Sequence, residues 1–336
     1  MQTSVALPVL LGMMLLLNLG AASRSAAASV KQDENLEAGR QAYETGEYAK
    51  AAQFLQQAAA KNPENGEVQL LLAKTYYETQ QHDAAISSAE KAVAVEPRNS
   101  KFHEWLGRAY GAKAEHAAWF SAISLAKKTG KEFEKAVELD ERNFAARQAL
   151  IEFDCSAPGM VGGGEDKAHP EIEKLASLDA AEGHYAAGNC RRQKKDFVAA
   201  DAEFTKALES HPNSADLLYD IGDYAMKHSQ AERLISVADQ GEQAAPADPR
   251  GKFYRAVALV LKKERPGEAE RFLREYLQRA PVRSNFPRPW EAHEWLGRIY
   301  ESQDKTQAAI DEYEAALKLD PKSKSGREAL KRLKKS

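Results

Sequence analysis

Apolar residues recur at helical spacing along most of this chain, and prolines divide them into short stretches. Leu70, Leu71, Ala73 and Tyr76 show the spacing of one face of a helix. Prolines lie at positions 63 and 97 and again at 212 and 246, 34 residues apart in each case, and two more follow at 281 and 321. Because proline lacks a backbone N–H and clashes with a continuing helix, each one ends the stretch before it. The pattern predicts many short helices and no strand.

Small residues keep the same spacing as the prolines. Five residues before a proline stand Ala58, Ala92, Ala207, Gly241 and Ala316, and twelve before stand Ala51, Ala85, Ala200 and Ala309. Small side chains at fixed positions let two helices approach closely. A single pair of such helices cannot bury its apolar face alone, so neighbouring pairs are expected to stack.

The 34-residue period with these marks resembles the tetratricopeptide-repeat (TPR) family. One unit shows the family pattern with Leu72, Ala73, Tyr76, Ala85, Ala92 and Pro97. The resemblance implies an all-α fold, a right-handed α-α superhelix of about eight helix hairpins followed by a C-terminal capping helix. The units are expected at about 32–65, 66–99, 100–143, 144–180, 181–214, 215–248, 250–283 and 290–323, with the cap at 324–336.

Two units and one connection depart from the regular period. Unit 3 carries about ten extra residues, and the segment 115–128 lacks Pro and Gly, which predicts lengthened helices instead of a loop. Unit 4 is predicted to hold a helix over residues 145–155, a glycine-rich loop, and a second helix ending near Leu178. Between Pro281 and Trp290 we expect an extended connector, and residues 326–335 are expected to form the cap.

The first 28 residues are predicted to be a secretory signal peptide. Residues 5–17 are almost entirely apolar, no charged side chain occurs before Arg24, and small residues follow. Cleavage is expected after Ala22 or Ala28, so the mature protein would be periplasmic or secreted. The alternative is a retained segment that tethers an assembly subunit to a membrane, because such a length nearly spans a bilayer.

Charge and cysteine content exclude several classes of protein. The chain has 47 basic and 50 acidic side chains and a formal net charge of -3, so no basic excess indicates nucleic-acid binding. Its two cysteines, Cys155 and Cys190, are too few for a disulfide scaffold or a closed zinc site. Both fall on first helices of adjacent units. Helix axes pack about 8–10 Å apart, and a disulfide needs Cα atoms within about 7 Å, so two free thiols are expected.

Two motifs resemble known phosphate-binding and zinc-binding motifs, but each lacks residues that such a site needs. The loop Gly162, Gly163 and Gly164 is followed by two acids, whereas a phosphate-binding loop needs Lys and Ser or Thr. The pair His103 and Glu104 recurs as residues 293–294, but a glycine occupies the position of the second zinc-binding histidine in both places. No cofactor, metal or catalytic site is therefore expected, and an enzyme with an unrecognised site stays as the alternative.

The TPR resemblance also implies where a partner binds. First helices of TPR units line a concave groove, and their inward positions correspond here to Arg40, Tyr43, Lys74, Tyr77, Arg108, Tyr185, Tyr219 and Tyr254. This set predicts a groove with a basic N-terminal half and an aromatic C-terminal half. Tyr and Arg are frequent in binding hot spots. We expect a scaffold that binds a protein or peptide and has affinity for an acidic segment; the opposing interpretation is that these residues serve helix packing and solvation.

Overall fold

The computed structural model describes residues 34–334, and regular structure in this range is entirely helical. The described residues form seventeen α-helices, one short 3-10 helix and no strand. The α-helices are α1 (Glu34–Glu44), α2 (Tyr48–Lys61), α3 (Gly66–Glu78), α4 (His82–Val95), α5 (Ser100–Ala114), α6 (Trp119–Leu139), α7 (Phe144–Ser156), α8 (Glu165–Leu178), α9 (Ala180–Gln193), α10 (Phe197–Glu209), α11 (Ala215–Lys227), α12 (Ala231–Ala244), α13 (Arg250–Lys262), α14 (Pro266–Arg279), α15 (Pro289–Glu301), α16 (Thr306–Leu319) and α17 (Lys324–Leu333). The predicted signal peptide lies outside the described residues.

Helices α1 to α16 pair into eight successive hairpins, and α17 packs against the last one. The all-α solenoid predicted from the 34-residue period is confirmed. Each odd-numbered helix from α1 to α13 also packs against the first helix of the next hairpin, whereas successive second helices in the described range do not approach comparably. The first helices therefore form the inner, concave face of the curved stack, and the second helices form its outer face.

The small residues of the repeat mark close contacts inside each hairpin. A Cβ atom added at Gly107 would lie 2.6 Å from the ring of Phe133, and one at Gly297 would lie 2.7 Å from the ring of Tyr313. In both hairpins an aromatic residue of the second helix fills the space that the glycine leaves. The third hairpin keeps this contact despite its extra residues.

Polar side chains fix where most first helices begin. Their side-chain oxygens accept hydrogen bonds from backbone N–H groups of the first turn, which have no partner within the helix. These capping residues are Asn65, Asn99, Asn143, Asp179 and Ser214, and Ser323 does the same for α17. The caps recur with the repeat, so each hairpin starts at a defined residue.

The extra residues of unit 3 lengthen its second helix, as the sequence predicts. Helix α6 has 21 residues, whereas the helices that precede it have 11 to 15. A short turn at residues 115–118 separates it from α5, and this turn was not expected. Trp119 and Phe120 at the start of α6 are 68% and 86% exposed.

The expectation of two free thiols is wrong. Cys155 on α7 and Cys190 on α9 form a disulfide, with their Cα atoms 5.5 Å apart. The error came from comparing an axis-to-axis distance with a Cα distance. Cα atoms lie about 2.3 Å from their helix axis, so residues on facing sides of helices packed about 8–10 Å apart come within about 3.4–5.4 Å.

The connector between the seventh and eighth hairpins is partly extended. We use this name for residues 281–288. It contains a turn near Asn285, which the sequence did not predict, and α15 begins directly after it at Pro289. The final helix, α17, begins two residues earlier than expected and covers Tyr300 and Tyr313 with Ala329.

Candidate functional site

Four side chains of the second and third hairpins meet on the inner face, and we call them the Trp105 cluster. The indole of Trp105 on α5 is half-buried. Lys74 Nζ on α3 lies 4.8 Å from the centre of its ring, and Arg108 Cζ lies 5.6 Å from it. Tyr77 meets the same indole edge-on, with ring centres 5.7 Å apart. A cation near an aromatic face is attracted by the electron density of the ring, so the indole holds both cations close together.

The three cations predicted for the groove differ in their partners. Arg40 Nη2 donates to Glu67 Oε1 at 2.6 Å, and its Nε is 3.5 Å from Glu37; hydrogen bonding to Glu67 raises the pKa of Arg40. Arg108 Nε donates to Glu104 at 2.9 Å. Lys74 is different, because its ammonium lies over a ring instead of against a carboxylate, and burial lowers its pKa.

A layer of buried polar residues supports the Trp105 cluster. Glu104 is 5% exposed and accepts hydrogen bonds from Arg108 and from Asn143, the residue that caps α7. His103 Nδ1 lies 2.6 Å from Glu132 on α6, and its Nε2 lies 2.9 Å from the carbonyl oxygen of Pro97. These contacts fix the two residues that precede Trp105 and also hold the side chain of Arg108.

The same arrangement recurs in the eighth hairpin, where residues 293–298 repeat residues 103–108. His293 Nδ1 lies 2.7 Å from Glu312, and Glu294 accepts a hydrogen bond from Ser325 at 2.6 Å and another from Ser323, the cap of α17. Arg298 Cζ lies 4.2 Å from the ring centre of Trp295. In the third hairpin a buried glutamate, Glu104, contacts the residue that caps α7. In the eighth hairpin the equivalent Glu294 contacts the residue that caps α17.

Tyr43 does not join the Trp105 cluster. Its ring is 8% exposed, 5.7 Å from the ring of Tyr48 and 5.6 Å from Cζ of Arg283 in the connector. Burial raises its pKa to about 12. This residue therefore lies at the contact between the first hairpin and the connector.

The expectation that Tyr185, Tyr219 and Tyr254 line an open groove is wrong. Tyr185 is 8% exposed, and the other two are 1% exposed. The hydroxyl of Tyr185 donates to Asp220 at 2.8 Å, and that of Tyr254 donates to Asp223 at 2.7 Å. The rings of Tyr219 and Tyr254 stack with their centres 5.6 Å apart. Adjacent first helices pack so closely that this position is covered by its neighbour.

Helix α11 contributes three aspartates to the C-terminal half of the inner face. Asp216, Asp220 and Asp223 all lie on α11, and the last two receive the tyrosine hydroxyls of the adjacent helices. Arg250, which is 4% exposed, pairs with Asp216 at 2.7 Å and lies over the ring of Tyr219 at 4.5 Å. The tyrosines consequently serve to join hairpins five to seven.

Sequence reasoning missed Trp105 and Glu104, although a signal for both was present. The duplicated segment at 103–108 and 293–298 is visible as a repeat, but its histidine and glutamate suggest only a zinc motif, and the sequence alone assigns no role to its tryptophan. Its role in joining hairpins becomes visible only with the partners Asn143 and Ser323 in place. The contacts of the connector have no counterpart in the repeat pattern.

The described residues contain no group of three or more His, Cys, Asp or Glu side chains arranged to hold a metal ion.

In the glycine-rich loop, Gly162 and Gly164 have φ angles of 107° and 152°, and Lys167 Nζ donates to the carbonyl oxygen of Gly162 at 2.7 Å. Across residues 34–334, none of the helices has the length and apolar character that a membrane span requires.

Stacked helical hairpins with a concave face define an α-solenoid, and comparisons give its class. A family profile described as Tetratricopeptide repeat matches residues 42–109, and a second profile with this description matches residues 290–323. These two stretches of the chain are tetratricopeptide repeats. No curated protein sequence matches the chain.

The described helices share their fold with one solved structure at low sequence identity, and two further structures match with lower TM-scores. Yeast Tom70 is 14% identical with a TM-score of 0.58; the match covers 92% of this chain and 64% of that one. A thermophilic TPR protein of Thermus thermophilus is 23% identical with a TM-score of 0.46, covering 55% of this chain and 93% of that one. A tetratricopeptide-repeat protein from Parabacteroides merdae is 11% identical with a TM-score of 0.40, covering 90% and 98%.

Proposed function

We propose that this protein is a non-catalytic scaffold whose concave face binds an extended segment of another polypeptide. TPR domains generally bind proteins or peptides. The observation that carries the proposal is the Trp105 cluster, in which a half-buried indole on the inner face is flanked by Lys74 and Arg108. Large aromatic and arginine side chains in partly desolvated positions are the usual centres of binding energy at interfaces.

The charges of the cluster favour an acidic partner segment. Arg40 and Arg108 are already paired with Glu67 and Glu104, whereas the ammonium of Lys74 lies over the indole. A carboxylate of a bound segment would relieve the cost of desolvating Lys74 by forming a charge-assisted hydrogen bond. An apolar side chain beside it would pack against Trp105. The acidic residues of α11 would repel the same segment, so the proposed site lies in hairpins one to three.

The test is a matched affinity capture from the native envelope fraction. The bait is the wild-type protein, a triple variant with Arg40, Lys74 and Arg108 changed to Ala, or a control triple variant. The control changes Lys91, Lys127 and Lys131 to Ala; these exposed residues lie on the second helices α4 and α6 and remove the same charge. A partner of the groove is a protein that wild type and control retain and that the groove variant loses.

Titration of that partner then separates groove binding from nonspecific attraction. Added salt should weaken the wild-type complex and should affect the groove variant much less, because screened charges contribute mainly to association. Equal affinity of wild type and groove variant for every captured protein would contradict the proposal. If the control variant also lost binding, the loss in the groove variant would result from the change in net charge alone.

We further propose that the scaffold works outside the cytoplasm, in the periplasm or beyond. Two observations support this: the signal-like residues 1–28, and the disulfide between Cys155 and Cys190. Disulfides persist in oxidising compartments and are rare in the cytosol. N-terminal sequencing of the protein from its native source tests the proposal. A chain that begins after Ala22 or Ala28 supports it, whereas a chain that retains residue 1 on a membrane favours a tethered assembly subunit.

A further inference from the structure

The connector contacts the two hairpins at the opposite end of the stack. Ser284 Oγ donates a hydrogen bond to Glu78 Oε1 on α3 at 2.7 Å, across 206 positions of sequence. Arg283 Cζ lies 5.6 Å from the ring centre of Tyr43 on α1. A Cβ atom at Gly46 would collide with the carbonyl oxygen of Val282, so the two backbones touch there. Hairpins one and two thus contact the segment that follows hairpin seven.

The two ends of the connector are held very differently. On the side of the seventh hairpin, Tyr276, which is fully buried, donates its hydroxyl to the carbonyl oxygen of Pro287 at 2.5 Å. Arg250 Nη1 donates to the carbonyl oxygen of Asn285 at 3.0 Å, and its Cζ lies 4.4 Å from the ring centre of Phe286. These contacts are shielded from water, and they fix residues 285–287 to α13 and α14.

The contacts with the first two hairpins are only partly shielded from water, because Arg283 lies against the buried ring of Tyr43 whereas Val282 and Ser284 are exposed. Val282 is 54% exposed, and the hydrogen bond between Ser284 and Glu78 lies at the surface. The Nε atom of Arg283 is buried with no hydrogen-bond partner among the described residues. Exposed hydrogen bonds contribute less than buried ones because water replaces them readily. The connector therefore has one firmly held end and one weakly held end.

We propose that residues 281–288 form a clasp that closes the concave groove, with a hinge at Asn285 to Pro287 and a releasable contact at Tyr43, Gly46 and Glu78. Closed, the clasp joins the ends of a seven-hairpin arc and restricts entry to the inner face. Open, it leaves the first hairpins free to move away from the seventh. This inference rests on the proposed function only for the identity of what enters the groove; the clasp itself is tested without a partner.

The experiment measures the distance between the two ends of the arc. Cysteines replace Gln53, exposed on α2, and Gly267, whose Cβ position on α14 is open, and both are spin-labelled. The described residues contain no free cysteine, so labels attach only at these sites while the disulfide is intact. Two clasp variants are compared with the unmodified clasp: Arg283→Ala with Ser284→Ala, and Glu78→Ala. Pulsed electron–electron double resonance reports the distance distributions.

Both variants should show a longer and broader distance distribution than the parent protein. The control Arg279→Ala removes an exposed arginine at the end of α14, outside the connector, and should leave the distribution unchanged. Two variants that break the contact from opposite sides guard against a local folding defect in one of them. Distributions identical to the parent in both variants would overturn the clasp.

A second measurement tests access to the inner face. Glu152 is exposed on the first helix α7, so Glu152→Cys places a thiol on the concave side. Its reaction rates with a small maleimide and with a polymer-linked maleimide are compared in the parent and clasp variants. A clasp that restricts entry slows only the polymer reagent, and the variants should relieve that difference. An equal rate ratio in all proteins would show that the connector does not control access.

Discussion

Glu104 Oε2 accepts a hydrogen bond from Asn143 Nδ2 at 3.2 Å and so joins the third hairpin to the start of the fourth. Asn143 in turn caps α7 by accepting a hydrogen bond from the backbone N–H of Ala146. Stability in stacked repeats is approximately a sum over units and their interfaces. Asn143 contributes both to an interface between hairpins and to a helix cap, so its contact with Glu104 is important for the whole stack.

We predict that Glu104→Ala lowers the free energy of unfolding by about 2 kcal/mol, because Asn143 and Arg108 both lose a buried partner. Chemical denaturation followed by circular dichroism measures the loss. Glu115→Ala, an exposed change in the turn before α6, is the control and should change stability little. A loss no larger than that of the control would show that Glu104 does not join the hairpins.

We predict that the disulfide stabilises the protein by roughly 4 kcal/mol, since it closes a loop of about 35 residues in the unfolded chain. Denaturation of the protein with both cysteines changed to Ser should begin at a lower denaturant concentration than that of the oxidised parent. Reducing the parent should give a similar loss. Thiol titration of the denatured, unreduced protein should find no free thiol, and two free thiols would contradict the bond.

Asp154 should make stability depend on pH. It is 3% exposed, its Oδ1 has no hydrogen-bond partner among the described residues, and burial raises its pKa from 3.8 to about 7. Between these values the folded protein binds a proton that the unfolded chain releases, so this contribution to stability falls as the pH rises from about 4 to about 7.

We therefore predict that Asp154→Asn is more stable than the parent by about 2 kcal/mol near pH 8, because the amide avoids burying a charge but still buries a polar group, which offsets part of the full effect. The difference should shrink as the pH falls and should nearly disappear near pH 3, where the parent carboxyl is protonated in the folded state and mostly so in the unfolded one. Denaturation curves across this pH range measure it. A constant difference at every pH would assign the effect to packing instead of ionisation.

Tyr254 should behave as a structural residue and not as a binding residue. Tyr254→Phe removes the hydrogen bond to Asp223 and should cost about 1 kcal/mol, whereas Tyr254→Ala should cost about 3–5 kcal/mol because it leaves a cavity in the core. Calorimetric melting curves compare the two. The Phe variant should bind a groove partner with the same affinity as the parent. A selective loss of affinity would show that Tyr254 contributes to binding.

The sequence predicted the helices and their pairing well because proline and small residues act locally, within one hairpin. The spacing of Gly107 and Phe133 is decided by two helices in direct contact. It predicted the groove less well, because the exposure of Tyr219 depends on how closely α13 packs against α11. A helical period identifies the face of a helix but not the distance to the next hairpin.

The same limit explains the disulfide and the clasp. The distance between Cys155 and Cys190 changes with a small rotation of either helix, which no residue pattern reports. The contact between Ser284 and Glu78 depends on the curvature accumulated over the hairpins between them. Each interface contributes a small angle, and only their sum brings these two residues together.

The bond between Cys155 and Cys190 also determines how the protein responds to a pulling force. Once the contacts of the connector are released, a solenoid stretched from its ends unravels hairpin by hairpin, because the remaining contacts of each hairpin are with its neighbours. The bond prevents its enclosed loop of 35 residues from extending, so the fully stretched chain is shorter by about 120 Å. Under tension the protein should therefore lengthen as two elastic segments, one on each side of an inextensible link.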